Sequence, residues 1–519
     1  MVCLIILDGW GYSSDEKGNA IALAKKPNYD YMWQNYPHTL LQATGKEVGL
    51  PWGEIGNSEV GHLSIGTGRI VYQSAQAISR SIYSGQFYEN QVIKEQINNT
   101  KKKKKSLHLI GLASSGGVHS HIDHLLAILE ILHREKFKNP CYIHIFTDGR
   151  DTSPKSANLY IDKIEKTIEK LRLNIKIASV SGRYFAMDRD SRWPRTIKAY
   201  QAITKGVGPT AFSAEEAANI AYKNNLTDEF IEPTVILDKD IKKPIGTIQD
   251  GDSVFFFNFR PERIRQLVEM FAFKKLEFPD VKIIPNLDII TMMQYEKSYP
   301  FKTVFPSSEI QDALSETISK KGLTQLHLAE TEKYAHVTYF FDGWKGIPSK
   351  GEKWAIVPSP KVSTYDKMPQ MSAPKIVDRL KSELRKQKYD FVLINFANAD
   401  MVGHTGKIKA AIKAVEAIDK ELGRLKKLFE KDIILITADH GNAEKMLDDK
   451  DQPNTEHEIN PVPFLLVDNK YKMPSKSEKT NITPSGILGD VAPTILELLK
   501  IEQPEKMTGY SLLTTLTRS

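Results

Sequence analysis

Short apolar runs alternate with amphipathic stretches along almost the whole chain. Residues 2–7, 107–112, 141–146, 175–180, 254–257, 391–396 and 433–437 are nearly continuous in apolar residues. Runs of that length, bounded by turn formers, are the pattern of strands buried on both faces. Between them, residues 121–136, 157–171, 264–273, 376–386 and 407–429 carry apolar residues at helical spacing. Alternation of this kind predicts an α/β fold with largely parallel sheets. No fixed-period repeat is present. Two stretches interrupt the pattern. Residues 45–68 are glycine-rich and predict a long functional loop or connector. Residues 297–308, with Pro300 and Pro306, predict a second connector.

Composition narrows the class. The 519 residues are 41% hydrophobic and 26% charged, an ordinary globular balance that excludes disorder, fibres and a pure coiled coil. No apolar run approaches the roughly 20 residues needed to cross a bilayer. Two cysteines, Cys3 and Cys141, exclude a disulfide framework and a Cys-rich zinc module. The apolar start ends at Asp8 and lacks a basic leader, so the expected compartment is the cytoplasm. Lysine and arginine number 71 against 64 acidic residues, a net charge of +7. That suits a small anionic substrate or weak nucleic-acid contact. The run at 101–105 reads as a solvated loop, and no aromatic interleaving supports nucleic-acid binding.

Candidate chemistry sits where the apolar runs stop. Asp8 follows the first in Leu-Asp-Gly-Trp-Gly; Asp439 and His440 follow another in Thr-Ala-Asp-His-Gly-Asn; Asp400 lies just beyond a third. A lone Asp after a strand ordinarily forms a turn or caps a helix. Three at strand ends, where ligands of open α/β sheets bind, argue for convergence. Asp400 and His404 are four apart, which puts both on one helical face, and His457 offers a third ligand. Asp8, Asp439 and His440 offer a second set. Oxygen and imidazole without thiolate suit Mn²⁺ or Zn²⁺ better than a soft metal. Paired ions serve displacement at phosphorus, and Ser58, in Gly-Asn-Ser-Glu-Val-Gly-His, is the nucleophile such ions would activate. No Gly-x-x-x-x-Gly-Lys-Ser/Thr loop supports an ATP-dependent kinase of that class.

A second set fills the middle of the chain. His119 lies in Gly-Gly-Val-His-Ser-His, Arg150 and Asp151 in Thr-Asp-Gly-Arg-Asp, Arg183 and Arg189 in Ser-Gly-Arg-Tyr-Phe-Ala-Met-Asp-Arg, and Arg260 and Arg263 in Asn-Phe-Arg-Pro-Glu-Arg. A single arginine ordinarily makes a surface ion pair. Several at strand ends are better explained by a small polyanion, which guanidinium forks bind bidentately. Metal-type residues at both ends of the chain and arginines in the middle predict a split domain with an insertion facing it across a cleft.

Together with Ala-Glu-Thr-Glu-Lys-Tyr-Ala-His-Val-Thr, these motifs occur in the order of a known family. The chain resembles the cofactor-independent (2,3-bisphosphoglycerate-independent) phosphoglycerate mutases of the alkaline phosphatase superfamily over essentially its whole length, with no substitution at a family position. The resemblance implies a metal-binding domain of residues 1–73 and 308–519, and an inserted phosphotransferase domain of residues 74–307. It implies interconversion of 3- and 2-phosphoglycerate in glycolysis and gluconeogenesis, by a monomer, with two Mn²⁺. By motif, Asp400, His404 and His457 would hold one ion, and Asp8, Ser58, Asp439 and His440 the other. Ser58 would carry the phosphoserine. His119, Arg150, Asp151, Arg183, Arg189, Arg260, Arg263 and Lys333 would bind substrate. Lys333 comes from the resemblance alone, since a lone lysine on a helix-like stretch is ordinarily solvated. Asp151 is the expected acid/base, with His119 as its positioning partner. Competing expectations are a metal-dependent phosphatase or phosphopentomutase of the same superfamily, and a catalytically silent phospho-ligand or RNA binder.

Overall fold

The computed structural model describes residues 1–272, 281, 283–306, 309–473 and 482–517. Chain contacts divide it into two compact units. One comprises Met1–Gln73 with Glu309–Ser519, the other Ser74–Ser308. The first unit opens with β1 (Val2–Leu7) and β2 (His38–Gln42). The second takes β3 (Leu107–Leu112), β4 (Cys141–Thr147), β5 (Ile175–Gly182), β6 (Thr210–Ala211), β7 (Thr234–Ile236), β8 (Ser253–Phe256), β9 (Asp288–Met293) and β10 (Lys302–Phe305). The chain returns to the first unit for β11 (Gln325–Glu330), β12 (Glu352–Val357), β13 (Phe391–Phe396), β14 (Ile433–Thr437), β15 (Val462–Val467) and β16 (Pro484–Ile487). Each unit is built on one eight-stranded sheet, so the α/β expectation holds.

In the first unit the order is β12-β11-β13-β1-β14-β15-β2-β16. The contiguous strands β12, β11, β13, β1 and β14 are parallel, and β15 runs antiparallel between β14 and β2. Every residue of β1 and of β13 is buried; β1 is apolar throughout, and the one polar member of β13, Asn395, hydrogen-bonds Asp8 Oδ2. In the second unit the order is β10-β9-β8-β3-β4-β5-β7-β6, with β8, β3, β4 and β5 parallel neighbours. Helices Ile122–Arg134 and Ala157–Leu171 bury their apolar stripes against this sheet.

Three local expectations are corrected. Residues 45–68 are not one loop: a short 3₁₀ turn, Gly45–Val48, precedes a helix, Ser58–Thr67, capped by the Asn57 side chain on the Val60 N–H. Glycines of this stretch, including Gly56, Gly61, Gly66 and Gly68, serve close packing. A Cβ on Gly61 would lie 2.5 Å from the Asp439 carbonyl oxygen. Residues 297–308 contain β10, and residues 307–308 lie outside the described residues. Lys101, Lys102 and Lys103 of the lysine run form the last turn of helix Gln91–Lys103, where cations complement the helix C-terminus, and Lys104 caps it. The helix expected at 264–273 spans Pro261–Ala272, with residue 273 outside the described residues. Among the described residues no helix is long and apolar enough to cross a membrane.

Candidate active site

Parallel strands deliver their carboxyl ends to one edge of a sheet, and the first unit loads four neighbours there. Asp8 follows β1, Asp400 lies beyond β13, Asp439 and His440 follow β14, and Lys333 follows β11. The turn after β1 is tight. The Asp8 N–H donates to the Phe396 carbonyl and the Asp400 N–H to the Asp8 carbonyl, at 3.1 and 3.0 Å. Gly9 has φ +70°, and a Cβ there would lie 2.7 Å from the Asp400 Cα. Only glycine fits that crossing. The helix carrying Ser58 at its first position packs through Gly61 on Asp439, which brings the hydroxyl to the same edge.

Lys333 is the hub. Its Nζ lies 2.6 Å from Asp8 Oδ1 and 2.7 Å from Asp400 Oδ2, and donates to Ser58 Oγ at 2.7 Å. The side chain is 5% exposed, where a lone lysine on such a stretch is ordinarily solvated. Its charge is neutralised by carboxylates distant in sequence. Burial would depress its pKa, but Asp400 and Asp8 override that and raise it. Burial would likewise raise Asp8 and Asp400. Lys333 with His440, and Lys333 with His404 and His457, hold them below the usual carboxylate range.

Two sets of atoms are left facing each other without enough hydrogen. His404 Nδ1 lies 2.7 Å from the Thr455 carbonyl and His457 Nδ1 2.9 Å from the Gly56 carbonyl, so each Nδ1 carries a hydrogen. Their Nε2 atoms are 3.0 Å apart, and each is 3.2 Å from Asp400 Oδ1. In the second set, His440 Nε2 lies 2.9 Å from Ser58 Oγ, 3.6 Å from Asp8 Oδ1 and 3.5 Å from Asp439 Oδ2. Asp439 Oδ2 is buried and accepts no well-aligned hydrogen bond, although His62 Nδ1 approaches it at 3.1 Å. Tetrahedral ligands about 2.1 Å from one ion are about 3.4 Å from each other, so both sets have the spacing of ligands around a cation. With protein charges alone a proton answers part of the demand. Asp400 raises His404, and Asp439 and Asp8 overcome burial to push His440 up to about 9. The residues present therefore fit divalent ions.

The partition is not unique by distance. A His440 nitrogen also lies within 4.8 Å of ligand atoms of Asp400 and His457, and His62 stands in the same relation to Asp8 and Asp439. His62 has no free lone pair, because its Nδ1 faces the Ser58 carbonyl and its Nε2 is taken by Asn395. A third group, His327 with Asp342 and Glu352, fails likewise: its ring nitrogens are taken by the Val337 carbonyl and Gln325 Oε1.

The second unit repeats the placement with opposite charge. Ser114 and His119 follow β3, Asp148, Arg150 and Asp151 follow β4, Arg183 follows β5, and Arg260 and Arg263 follow β8. Arg183, 3% exposed, spends Nη1 on Asp148 Oδ1 at 2.7 Å and Asp151 Oδ2 at 2.5 Å. Asp148 also accepts from Ser114 Oγ and from the N–H groups of Arg150 and Asp151, which fixes the loop. His119 is pushed down to about 4 by burial first and then by Arg183 and Arg260. Arg150 faces Glu229 at 3.7 Å, and Arg189 and Arg260 both pair with Glu262. Arg263 has no carboxylate within ion-pair distance among the described residues and reaches only the Met187 carbonyl, at 3.5 Å. Burial and the charges of Arg183, Arg189 and Arg150 depress its pKa. A cavity of about 300 Å³ is lined by Arg150, Arg183, Arg189 and Arg263, together with Arg192 and Arg195.

All seven expected metal-type residues and Lys333 thus converge in the first unit, and the expected arginines gather at one sheet edge of the second. Arg192, Arg195, His62, Asn395 and Asn442 escaped sequence reading. Asn442 Nδ2 donates to Asp400 Oδ1 at 3.1 Å. His62 was within reach, since it stands four residues after Ser58 on one helix.

Comparison with known proteins identifies the family. A family model described as the metalloenzyme superfamily matches residues 1–503. The 2,3-bisphosphoglycerate-independent phosphoglycerate mutase of Clostridioides difficile is 47% identical over 519 residues, covering 99% of both chains. That of Clostridium kluyveri is 48% identical over 521 residues, again covering 99% of each. The crystal structure of Leishmania mexicana phosphoglycerate mutase at low cobalt concentration matches with a TM-score of 0.59 and 31% identity, over 98% of this chain and 97% of that one. The chain belongs to the 2,3-bisphosphoglycerate-independent phosphoglycerate mutases of the metalloenzyme superfamily.

Proposed function

We propose that this chain interconverts 3-phosphoglycerate and 2-phosphoglycerate through a phosphoserine on Ser58, without added 2,3-bisphosphoglycerate, as a glycolytic and gluconeogenic enzyme. The reading makes it a cytoplasmic monomer with two Mn²⁺, Zn²⁺ or Co²⁺ being the alternatives. Asp400, His404 and His457 would hold one ion and Asp8, Ser58, Asp439 and His440 the other. When bound, these ions supply Lewis-acid stabilisation of the serine oxygen and the phosphoryl oxygens. The observation that carries the reading is the position of Ser58 Oγ, 2.7 Å from the Lys333 ammonium and 3.2 Å from Asp8 Oδ1.

The chain's own residues then divide the work between the units, residues 1–73 and 308–519 handling phosphoryl transfer and residues 74–307 holding the glycerate. Ser58 Oγ attacks phosphorus in line, its proton leaving toward the carboxylate side, while Lys333 and Arg263 meet the charge on the equatorial oxygens. The bond from phosphorus to the glycerate oxygen breaks, and Asp151 supplies the proton that oxygen needs. Arg183 orients Asp151, and His119 is its positioning partner. Arg183, Arg189 or Arg260 holds the glycerate carboxylate while the molecule reorients, with Arg150 also binding substrate. Asp151 then removes the proton of the other hydroxyl, which takes the phosphoryl group from Ser58, whose oxygen regains the proton it gave to the carboxylate side. Retention of glycerate keeps water from hydrolysing the phosphoserine.

The test is phosphorus NMR of purified protein with 3-phosphoglycerate and Mn²⁺. The expected outcome is 2-phosphoglycerate, lost in Ser58→Ala and after chelation. Release of inorganic phosphate alone would make the protein a phosphatase, and absence of turnover with Mn²⁺, Zn²⁺ and Co²⁺ would favour a binding protein.

A further inference from the structure

His62 lies one helical turn beyond Ser58 and is fully buried. Its Nδ1 is 2.9 Å from the Ser58 carbonyl oxygen and 3.1 Å from Asp439 Oδ2. Both neighbours can only accept, so Nδ1 carries the ring hydrogen. Its Nε2 is 3.0 Å from Asn395 Nδ2, and that same amide nitrogen is 2.7 Å from Asp8 Oδ2. An amide nitrogen can only donate, so its two hydrogens go to Asp8 and to His62, and Nε2 accepts. The hydrogens along this path thus have a single consistent assignment. Asp8, Asn395, His62 and Asp439 are each 0% exposed. Asn395 sits on β13, Asp8 follows β1 and Asp439 follows β14, and these three strands are adjacent, with β1 in the middle.

We propose that His62 and Asn395 are positioning residues for the ion held by Asp8, Ser58, Asp439 and His440. The inference rests on the two-ion reading above. Asn395 turns the Asp8 carboxylate. His62 holds the Ser58 turn against Asp439 and leaves Asp439 Oδ2 oriented toward His440. Groups behind a ligand set that fix ligand orientation typically account for 10–100-fold in metal affinity. His62 does this as the Nδ1–H tautomer and contributes no ligand atom.

Two measurements on the whole chain test it. The first is Mn²⁺ titration of metal-stripped protein by calorimetry, with unfolding of the stripped protein followed in parallel. In His62→Leu and Asn395→Leu one of two Mn²⁺ equilibria is expected to weaken by about 10–100-fold. His62→Asn keeps a donor at the Nδ1 position and is expected to recover most of the loss. Unchanged affinity in both leucine variants, or no recovery in His62→Asn, overturns the inference. No Mn²⁺ binding by the wild-type chain would overturn the two-ion reading instead. The second needs no variant and stands if a leucine variant fails to fold. Histidine-selective ¹⁵N NMR is expected to report His62 with a protonated Nδ1 and a bare Nε2. A proton on Nε2 overturns the assignment.

Discussion

Replacing Lys333 by methionine removes one ammonium from between two buried carboxylates while keeping the volume of the side chain. At 2.6 and 2.7 Å, with an effective dielectric near 20, each contact is worth about 6 kcal/mol before desolvation. Burying the ammonium consumes most of that gain. What the variant exposes is the other side of the balance, Asp8 and Asp400 buried with no cation between them. Removing one partner of a buried pair costs about 3–5 kcal/mol. Protons taken up by the two carboxylates recover part of it, so the cost should grow from pH 5 to pH 8. Divalent ions should also recover part of it, because they bring positive charge to the same oxygens. The assay is denaturant unfolding of Lys333→Met and wild type, stripped and Mn²⁺-loaded, read by tryptophan fluorescence. Stripped Lys333→Met should be less stable by about 3–5 kcal/mol, and the gap should narrow with Mn²⁺. A stripped-state gap below about 1 kcal/mol, or one that widens with Mn²⁺, would refute the hub assignment. Turnover should fall in either case, since Ser58 Oγ loses its ammonium donor.

Arg263→Gln removes a guanidinium that has no carboxylate within ion-pair distance among the described residues and that Arg183, Arg189 and Arg150 repel. It should raise KM for 3-phosphoglycerate about 10–100-fold while leaving Tm unchanged or higher, the signature of a charge kept for ligand rather than for stability. A lowered Tm with unchanged KM would show the opposite. Glu330, buried at the end of β11 with Oε2 unpartnered, is pushed up to about 7 by burial. The fold favours its protonated form, so stability falls as pH rises from the ordinary carboxyl value through 7, by at most about 3 kcal/mol. Glu330→Gln should match wild type near pH 5 and exceed its Tm at pH 8; a difference independent of pH would disprove the assignment.

Legibility in the sequence followed the distance over which each feature is determined. β1, β13 and β14 are buried on both faces, so their apolar runs announce them, and each ends near an acid that proved to lie at the site. β11, Gln-Leu-His-Leu-Ala-Glu, is as buried but reads as mixed. Its polar members are satisfied within the fold, Gln325 by the Ser315 carbonyl and His327 by the Val337 carbonyl. Lys333 follows that hidden strand, and nothing local distinguishes it from a solvated lysine. Its partners lie 325 and 67 residues away in sequence, at Asp8 and Asp400. The Ser58 helix was obscured for another reason. The glycines that depress helix propensity are needed because Asp439 and Phe341 press against it, and a Cβ on Gly66 would lie 2.0 Å from the Phe341 carbonyl oxygen.

The net charge of +7 says little about either site, because the sites are unbalanced in opposite senses. In the first unit, lone pairs of Asp8, Asp400, Asp439, His404, His440 and His457 converge, with Lys333 as their only lysine or arginine counter-charge among the described residues. In the second, six arginines line one cavity with Asp188, Asp190 and Glu229, and Arg263 has no carboxylate partner among the described residues. A cluster of acceptors calls for cations and a cluster of donors calls for an anion. A phosphorylated carboxylic acid handled with divalent ions satisfies both demands. A neutral substrate would satisfy only the first, leaving the arginine set unexplained. A metal-free anion binder would satisfy only the second, leaving two imidazole nitrogens 3.0 Å apart on one carboxylate oxygen for no purpose. The chemistry follows from what each unit lacks, and the two deficits together specify the substrate class more narrowly than either does alone.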